Sequence, residues 1–568
     1  MLLEELQNIV KGEIVADDAT LVRYSRDASI FEVKPEVIVF PKDVEDLKSL
    51  VGWVNENKAE RSNLSLTARS AGTDMSGGPL NDSIILDFTR YFNHILEVGD
   101  DPDISVPGVG IPTLLGNSVG AGYAVTEPGV YYQDFEKETL KKGLILPSYP
   151  ASRELCAMGG IVANNSGGEK SLSYGKTERY VEELNVVLSD GNEYVFKDLA
   201  LEELEVKKSQ QDFEGHVYRE VHALIELNYD VIKKAKPDVS KNSAGYYLWN
   251  IYDRKTFNLN KLFVGSQGTL GLVTKIKFKL VKPKKYSKLL VIFLNDLTPL
   301  GDLVNEVMKF KPESFETYDD QTLKLALRFL PSIIKNMKGS ALSLFFKFLP
   351  EVGMIFTSGL PKLVLLAEFT DDTESGVDEK LKMAQESMKL KFKVSTHVTK
   401  DAEEAEKYWT IRRESFALLR KHVGDKHTAP FIDDVIVHVN QLPFFLPKLN
   451  ELVSQYKGLT YTIAGHAGDA NFHIIPLMDF SDEANRQAIP ELSEKVYDLV
   501  VSLHGSITAE HNDGLIRTPY LEKMYSPEII ELFKQTKKIF DPNNIFNPRK
   551  KVPSVGGMEY AISHISKE

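Results

Sequence analysis

Two histidines, His466 and His473, stand seven residues apart around a Gly-Asp turn in Gly465-His-Ala-Gly-Asp-Ala-Asn-Phe-His473. Apolar Phe472, Ile474 and Ile475 flank the second. Imidazole nitrogens suit borderline metals such as zinc or manganese, and a strand-turn segment can aim two of them at one point. In a chain with 12 histidines, such a pair alone is more often an ordinary surface or core pair. A second stretch, Ala509-Glu-His-Asn-Asp-Gly514, adds the carboxylate of Glu510 and a third imidazole, His511. Together they offer the donor set of a divalent-metal site with an imidazole beside it.

The elements that position these groups belong to a chain of 568 residues, too long for one core and suited to two or three domains. The net charge of −13 argues against nucleic acid as a partner, because phosphate binding needs basic surface. One cysteine, Cys156, excludes intrachain disulfides, a cysteine-rich zinc site and an iron–sulfur cluster held by this chain. It fits a reducing compartment, so a cytoplasmic location is expected. The start, Met1-Leu-Leu-Glu-Glu-Leu-Gln7, has early acids and no long apolar run, so no signal peptide is expected. No transmembrane helix is expected either.

Residues 1–33 read as a helical leader. Glu36–Phe40 then reads as a strand, and Asp43 can cap a helix over Val44–Asn57, where Leu47, Leu50, Val51 and Val54 recur at helical spacing. Strands at Leu64–Thr67 and Ser83–Phe88 bracket a glycine-bearing loop, Ala68–Gly78. This alternation belongs to an α/β or α+β domain. The loop can bring its backbone, Thr73 and Ser76 close to phosphate oxygens. It lacks the Gly-Lys-Ser/Thr ending of a Walker loop and the Gly-x-Gly-x-x-Gly dinucleotide fingerprint, and a plain surface loop is the alternative. Two further small-residue stretches follow, Pro147–Gly175 and Leu262–Thr274, around strands at Val181–Leu188, Tyr194–Phe196 and Lys275–Leu280.

Three of these stretches carry a family resemblance. Arg69-Ser-Ala-Gly-Thr-Asp-Met-Ser-Gly-Gly78, Met158-Gly-Gly-Ile-Val-Ala-Asn-Asn-Ser-Gly-Gly168 with Tyr174-Gly175, and Gln267-Gly-Thr-Leu-Gly271 resemble the flavin-contacting segments of the vanillyl-alcohol-oxidase-type FAD domain. The His466/His473 stretch, Glu510-His511 and the tail Phe540–Pro548 resemble the C-terminal half of FAD-linked D-2-hydroxyacid dehydrogenases, which include D-lactate, glycolate and D-2-hydroxyglutarate enzymes. The resemblance spans roughly residues 34 to 550.

It implies an α+β fold. A two-subdomain FAD-binding domain (34–283) would follow the leader (1–33). A substrate or cap domain with an antiparallel sheet (284–460) and a C-terminal metal and active-site segment with helices (461–568) would complete it. Arg69, Ser70, Ala71, Gly72, Thr73, Asp74, Ser76 and Gly77 would wrap the FAD pyrophosphate. Gly159, Gly160, Asn164, Ser166, Gly167 and Tyr174 would line the channel from adenosine to isoalloxazine. Pro147, Gly175, Gln267, Gly268, Thr269 and Asn547 would also lie at the cofactor. His466, His473 and Glu510 would bind divalent Zn, Mn or Fe, His511 would be the general base, and Arg412 would grip the substrate carboxylate. Asn512 departs from the family's Glu-His-Gly, and Gln267 stands where a glutamate is usual. No histidine is placed for a covalent flavin link, so the FAD is expected to be non-covalent.

The chemistry implied is oxidation of a D-2-hydroxy acid, of the D-lactate or D-2-hydroxyglutarate type, to the 2-oxo acid by hydride transfer to flavin. The metal would act as a Lewis acid, and a neutral imidazole at His511, with a reference pKa of about 6.5, would take the hydroxyl proton. The electrons would leave to an external acceptor: a quinone, an electron-transfer flavoprotein, a separate iron–sulfur subunit or oxygen. A flavin-free metal hydrolase, a non-redox FAD transferase of the alkyl-glycerone-phosphate synthase type and a binding or scaffold protein remain as rivals.

From Lys284 to about Asn440, strands at Leu289–Phe293, Glu313–Tyr318 and Lys362–Phe369 and a helix over Asp378–Met388 suggest a cap sheet with helices on one face. Between them, 325–360 is apolar and mostly basic (Arg328, Lys335, Lys338, Lys347), a reversal in an acidic chain. Such a hairpin suits peripheral contact with a membrane. A helical pair packed on the cap or at a homodimer interface is the alternative.

Overall fold

The computed structural model describes residues 2–101, 105–106, 118–119, 121–328, 360–422, 426–456 and 459–567. Residues 329–359 of the basic, apolar segment lie outside them, and its membrane-interface reading lies there too. Among the described residues no helix is long and apolar enough to cross a membrane.

The first sheet holds β1 (Glu13–Val15), β2 (Val37–Phe40), β3 (Leu66–Arg69) and β4 (Ile84–Asp87) in the order β1-β2-β4-β3. β2 and β3 run parallel to β4. The helix Val44–Asn57 makes the crossover, and Asp43 caps it by accepting from the Asp46 N–H. β1 corrects the purely helical leader. It pairs antiparallel with β2, between the helices Leu2–Gln7 and Asp18–Tyr24, because Glu13-Ile-Val15 can satisfy the open edge of β2. The glycine-bearing loop leaves the C-terminal end of β3, where open sheets with parallel strands present their ligand loops.

The second sheet takes β5 (Ile95–Asp100), β8 (Gly122–Thr126), β9 (Val181–Val187), β10 (Glu193–Ala200), β11 (Thr256–Asn258) and β12 (Leu272–Leu280). Its order is β11-β10-β9-β12-β8-β5, and β6 (Ser105–Val106) with β7 (Ser118–Val119) forms a separate ribbon. β12 alternates between buried and half-buried residues, the mark of a sheet packed harder on one face. The stretch Met158–Asn164 forms a short helix that its two glycines hid in the sequence.

The third sheet comprises β13 (Tyr286–Leu294), β14 (Ser314–Asp319), β15 (Leu363–Asp371), β16 (Ser395–Val398), β17 (His427–Thr428), β18 (Val435–Ile436), β19 (Thr460–His466) and β20 (Asn471–Met478). The order is β16-β13-β15-β14-β19-β20-β17, with β18 also on β20. The C-terminal segment therefore supplies two strands of the cap sheet. Helices cover both faces, which corrects the one-faced expectation. Leu290, Ile292, Leu365 and Ala367 pack against the helices Leu300–Met308 and Glu374–Phe392. Leu289, Val291, Val364 and Leu366 pack against Tyr408, Trp409 and Ile411 of the helix Ala402–His422. Strands buried on both faces read as continuous apolar runs such as Leu289-Leu-Val-Ile-Phe293, not as alternation. Leu365→Ala and Leu366→Ala should therefore each cost about 2–5 kcal/mol in urea unfolding. A mild effect at either position would mean that one face is open.

Candidate functional site

Strand pairing explains how the two histidines meet. Ala464 lies opposite His473 across β19 and β20, and side chains of one strand alternate between faces. His466, two residues from Ala464, therefore shares a face with His473. Thr317 lies opposite Gly465, so Glu316 of β14 falls beside His466 at the next step of the register. The helix Ala402–His422 covers this face and brings in Arg412.

The ring nitrogens are sorted by their partners. His466 Nδ1 is 2.7 Å from Glu316 Oε1, and His473 Nδ1 is 3.1 Å from Asp433 Oδ1. The two Nε2 atoms are 3.3 Å apart, and His466 Nε2 is 3.3 Å from Glu510 Oε2. Carboxylates that take the Nδ1 protons leave the Nε2 lone pairs converging with a carboxylate oxygen, as in carboxylate–histidine–metal triads. The ligand atoms of His466, His473 and Glu510 lie within 4.8 Å of one another. This donor set fits a divalent metal.

Glu510 and His511 sit on the loop after the helix Glu483–Ser502. Asp434 Oδ2 fixes this loop by accepting the N–H groups of Ala509, Glu510 and His511 and the Thr508 hydroxyl at 2.7–2.9 Å. Fully buried Arg517 braces it by donating to the carbonyls of Ile507, Asn512 and Asp433. His511 Nδ1 stands 2.6 Å from Asp433 Oδ2, a charge contact not aligned as a hydrogen bond, and its ring stacks on His473 at 4.9 Å.

Electrostatics corrects one expectation. Burial works against the imidazolium of His511, but Asp433 and Asp434 outweigh it and hold the pKa up at about 9. His466 behaves likewise: burial opposes, while Glu316 and Glu510 raise its pKa to about 9. Without a further cation these rings are charged near pH 7. Burial works against the Glu510 carboxylate, yet His466 and Lys241 hold its pKa well below the usual range. Lys241 Nζ is 2.6 Å from Glu510 Oε1 and 2.9 Å from Asp469 Oδ2.

One cavity of about 520 Å³ joins this cluster to the glycine-rich loops. Ser70, Ala71, Gly72, Thr73, Asp74, Gly159, Gly160, Asn164, Ser166, Gly167, Gln267 and Gly268 line it, together with Arg412, His466, His473, Glu510 and His511. The wall suits a cofactor. Among the described residues, Ala71, Gly72 and Thr73 donate no backbone hydrogen bond, and a Cβ at Gly160 would meet no atom within 4 Å. At Gly167 a Cβ would come 2.8 Å from Glu510 Oε1, so only glycine lets this wall approach the His466/His473/Glu510 cluster so closely.

Other residues expected at the cofactor are placed behind this wall. Arg69 donates to the carbonyls of Tyr24 and Arg26. The amides of Ser76 and Gly78 donate to Asp74 and that of Gly77 to Asp27, so they are occupied by carboxylates and are not open to phosphate. Tyr174 donates to Glu313, while Gly175 ends a short helix at φ +73°. Thr269 bonds Tyr246 and the Ser266 carbonyl, and Pro147 is buried. Asn547 ties the loops from outside, donating to the carbonyls of Gly78 and Gln267.

The two departures gain physical roles. Asn512 sits at φ +70°, a left-handed position that asparagine tolerates, and its amide donates to the carbonyls of Asn164 and Gly265. The Gln267 amide donates to Ser76 and Asn164 and accepts from Gly514 N–H, a set that a carboxylate could not satisfy. Arg412 is ion-paired with Glu316 at the cavity wall. Sequence reasoning missed Lys241 and Glu316 and gave Asp433 and Asp434 no role. Lys241 in a small-residue stretch and Asp433-Asp434 before an apolar run offered a signal, while Glu316, in Ser314-Phe-Glu-Thr-Tyr-Asp319, offered none.

Two family models match parts of the chain. Residues 35–196 match the FAD binding domain model, and 283–551 match that of the FAD linked oxidases, C-terminal domain. The chain is 27% identical to D-2-hydroxyglutarate dehydrogenase of Pseudomonas putida over 98% of this chain and 52% of that protein, so it spans about half the length of that relative. It is 25% identical to glycolate oxidase subunit GlcD of Bacillus subtilis, over 95% of this chain and 94% of that one. Its fold superposes on 4-ethylphenol oxidase from Gulosibacter chungangensis with a TM-score of 0.67 at 14% identity, covering 97% of this chain and 96% of that one. The fold is thus α+β with an FAD domain of the vanillyl-alcohol-oxidase type.

A stability test follows from the raised imidazoles. A histidine whose folded pKa is about 9, against about 6.5 unfolded, adds stability below pH 6.5 and loses it as pH rises through 9. Protein kept in chelator should therefore melt at lower temperature as pH goes from 6.5 to 9, more steeply than His511→Gln in the same buffer. Parallel melting profiles would contradict the charge assignment. With the two models matched in order, the chain carries an FAD binding domain followed by a domain like the C-terminal domain of FAD linked oxidases.

Proposed function

We propose that the protein oxidises a D-2-hydroxy acid, of the D-lactate or D-2-hydroxyglutarate type, to the 2-oxo acid. The observation that carries this reading is the single cavity shared by the cofactor wall and the His466/His473/Glu510 cluster. Non-covalent FAD, when bound along Ser70–Asp74, Gly159–Gly167 and Gln267–Gly268, supplies the hydride acceptor. A divalent metal held by His466, His473 and Glu510 supplies a Lewis acid for the substrate hydroxyl.

The chain's own residues do the rest. His511 Nδ1 faces Asp433, which leaves Nε2 to take the hydroxyl proton. A divalent charge nearby offsets the carboxylate field that otherwise keeps this imidazole protonated. Arg412 lines the cavity beside Glu316, and a planar guanidinium can hold a substrate carboxylate by two N–H groups. With one cysteine in the chain, the electrons pass on to an external quinone, electron-transfer flavoprotein or iron–sulfur subunit. A hydrolytic zinc centre would leave the glycine-lined half of the cavity without a purpose, and a non-redox transferase would leave the three-ligand cluster without one.

His511→Asn should retain yellow FAD but slow anaerobic flavin reduction by about 10²–10⁴-fold. Reduction at the wild-type rate would remove the base assignment. In a screen of D- and L-2-hydroxy acids, D-isomers should bleach the flavin, a chelator should stop this, and added Mn²⁺ or Zn²⁺ should restore it. Bleaching untouched by chelator would sink the metal's role.

A further inference from the structure

Glu316 stands between two parts of the proposed machinery without lining the cavity itself. It is 1% exposed, in the middle of β14. Its Oε1 is 2.7 Å from His466 Nδ1, and its Oε2 forms an ion pair with Arg412. A buried carboxylate needs such partners, since desolvation without them is costly. Each partner is constrained in turn. The imidazole must carry its proton on Nδ1 to face Glu316, which turns the bare Nε2 toward His473 and Glu510. The guanidinium is anchored by its ion pair with Glu316.

We propose that Glu316 is the positioning residue that couples the metal site to the substrate-gripping arginine. One carboxylate sets the tautomer and basicity of His466 and the orientation of Arg412. The inference rests on the proposed roles of those two residues. It goes beyond them in making metal affinity depend on a side chain that touches neither metal nor substrate.

The test is equilibrium dialysis of Mn²⁺ against FAD-loaded, metal-stripped protein. Glu316→Gln keeps the shape and removes the charge, and should bind Mn²⁺ about 10–100-fold more weakly with an unchanged flavin spectrum. Because this variant leaves Arg412 buried without its carboxylate, it is paired with the double variant Glu316→Gln/Arg412→Met. That variant removes both charges, and should melt higher than the single variant yet still bind Mn²⁺ more weakly than the wild type. Arg412→Met alone should keep wild-type affinity or exceed it, because a nearby cation is lost while His466 keeps its carboxylate. Wild-type Mn²⁺ affinity in Glu316→Gln, or in the double variant if the single one does not fold, overturns the coupling. Failure of the wild-type protein itself to bind Mn²⁺ overturns the metal reading on which the coupling rests.

Discussion

Three consecutive backbone N–H groups and one hydroxyl converge on a single oxygen of Asp434. Charge-assisted bonds of this kind are about twice as strong as neutral ones, and at a fully buried carboxylate their loss leaves a stranded charge. Asp434 adopts φ +64°, a left-handed turn between the 3₁₀ turn Pro430–Ile432 and β18. That turn sends Asp433 and Asp434 to different tasks. Asp434 holds the loop that carries Glu510 and His511, and Asp433 faces the rings of His473 and His511. The strand pair β19–β20 could place two histidines by itself. Only this acidic pair brings the third imidazole and the carboxylate to them.

The interior of the site is a balance of ions. Glu316, Asp433, Asp434, Asp469 and Glu510 face Lys241, Arg412, Arg517 and three imidazoles, all buried or nearly so. Each unit removed leaves its neighbour uncompensated, which is why pairs here matter more than single contacts. The pKa values of about 9 at His466 and His511 are the trace of that field on groups that ordinarily titrate near 6.5.

Much of the architecture could be read from the chain. Asp43 with the spacing of Leu47, Leu50, Val51 and Val54 gives the helix Val44–Asn57, and short β-branched runs give β2, β4 and β9. The glycine-rich stretches and the histidine hairpin do come to one cavity. What stayed hidden depends on neighbours remote in sequence. Nothing local to Lys241 says that it will meet Glu510 and Asp469, and nothing in Ser314–Asp319 says that Glu316 will lie beside His466. The amides of Ser76–Gly78 looked available for phosphate because the acids that occupy them, Asp27 and Asp74, reveal their role only when the loop folds back. The two-faced cover of the cap sheet was present in the unbroken apolar runs, which carry no sign of direction.

Asn512 has a mechanical consequence. Its amide is fastened to the carbonyls of Asn164 and Gly265 on the cofactor side, while the peptide groups just before it are fastened to Asp434 beside the cap sheet. One short loop therefore rivets cap and cradle together. Swinging the two halves apart would tear several buried bonds at once, so this joint is a weld and not a hinge. Traffic into and out of the cavity is left to its mouth, and the spacing between His511 and the glycine-lined wall is set by the fold.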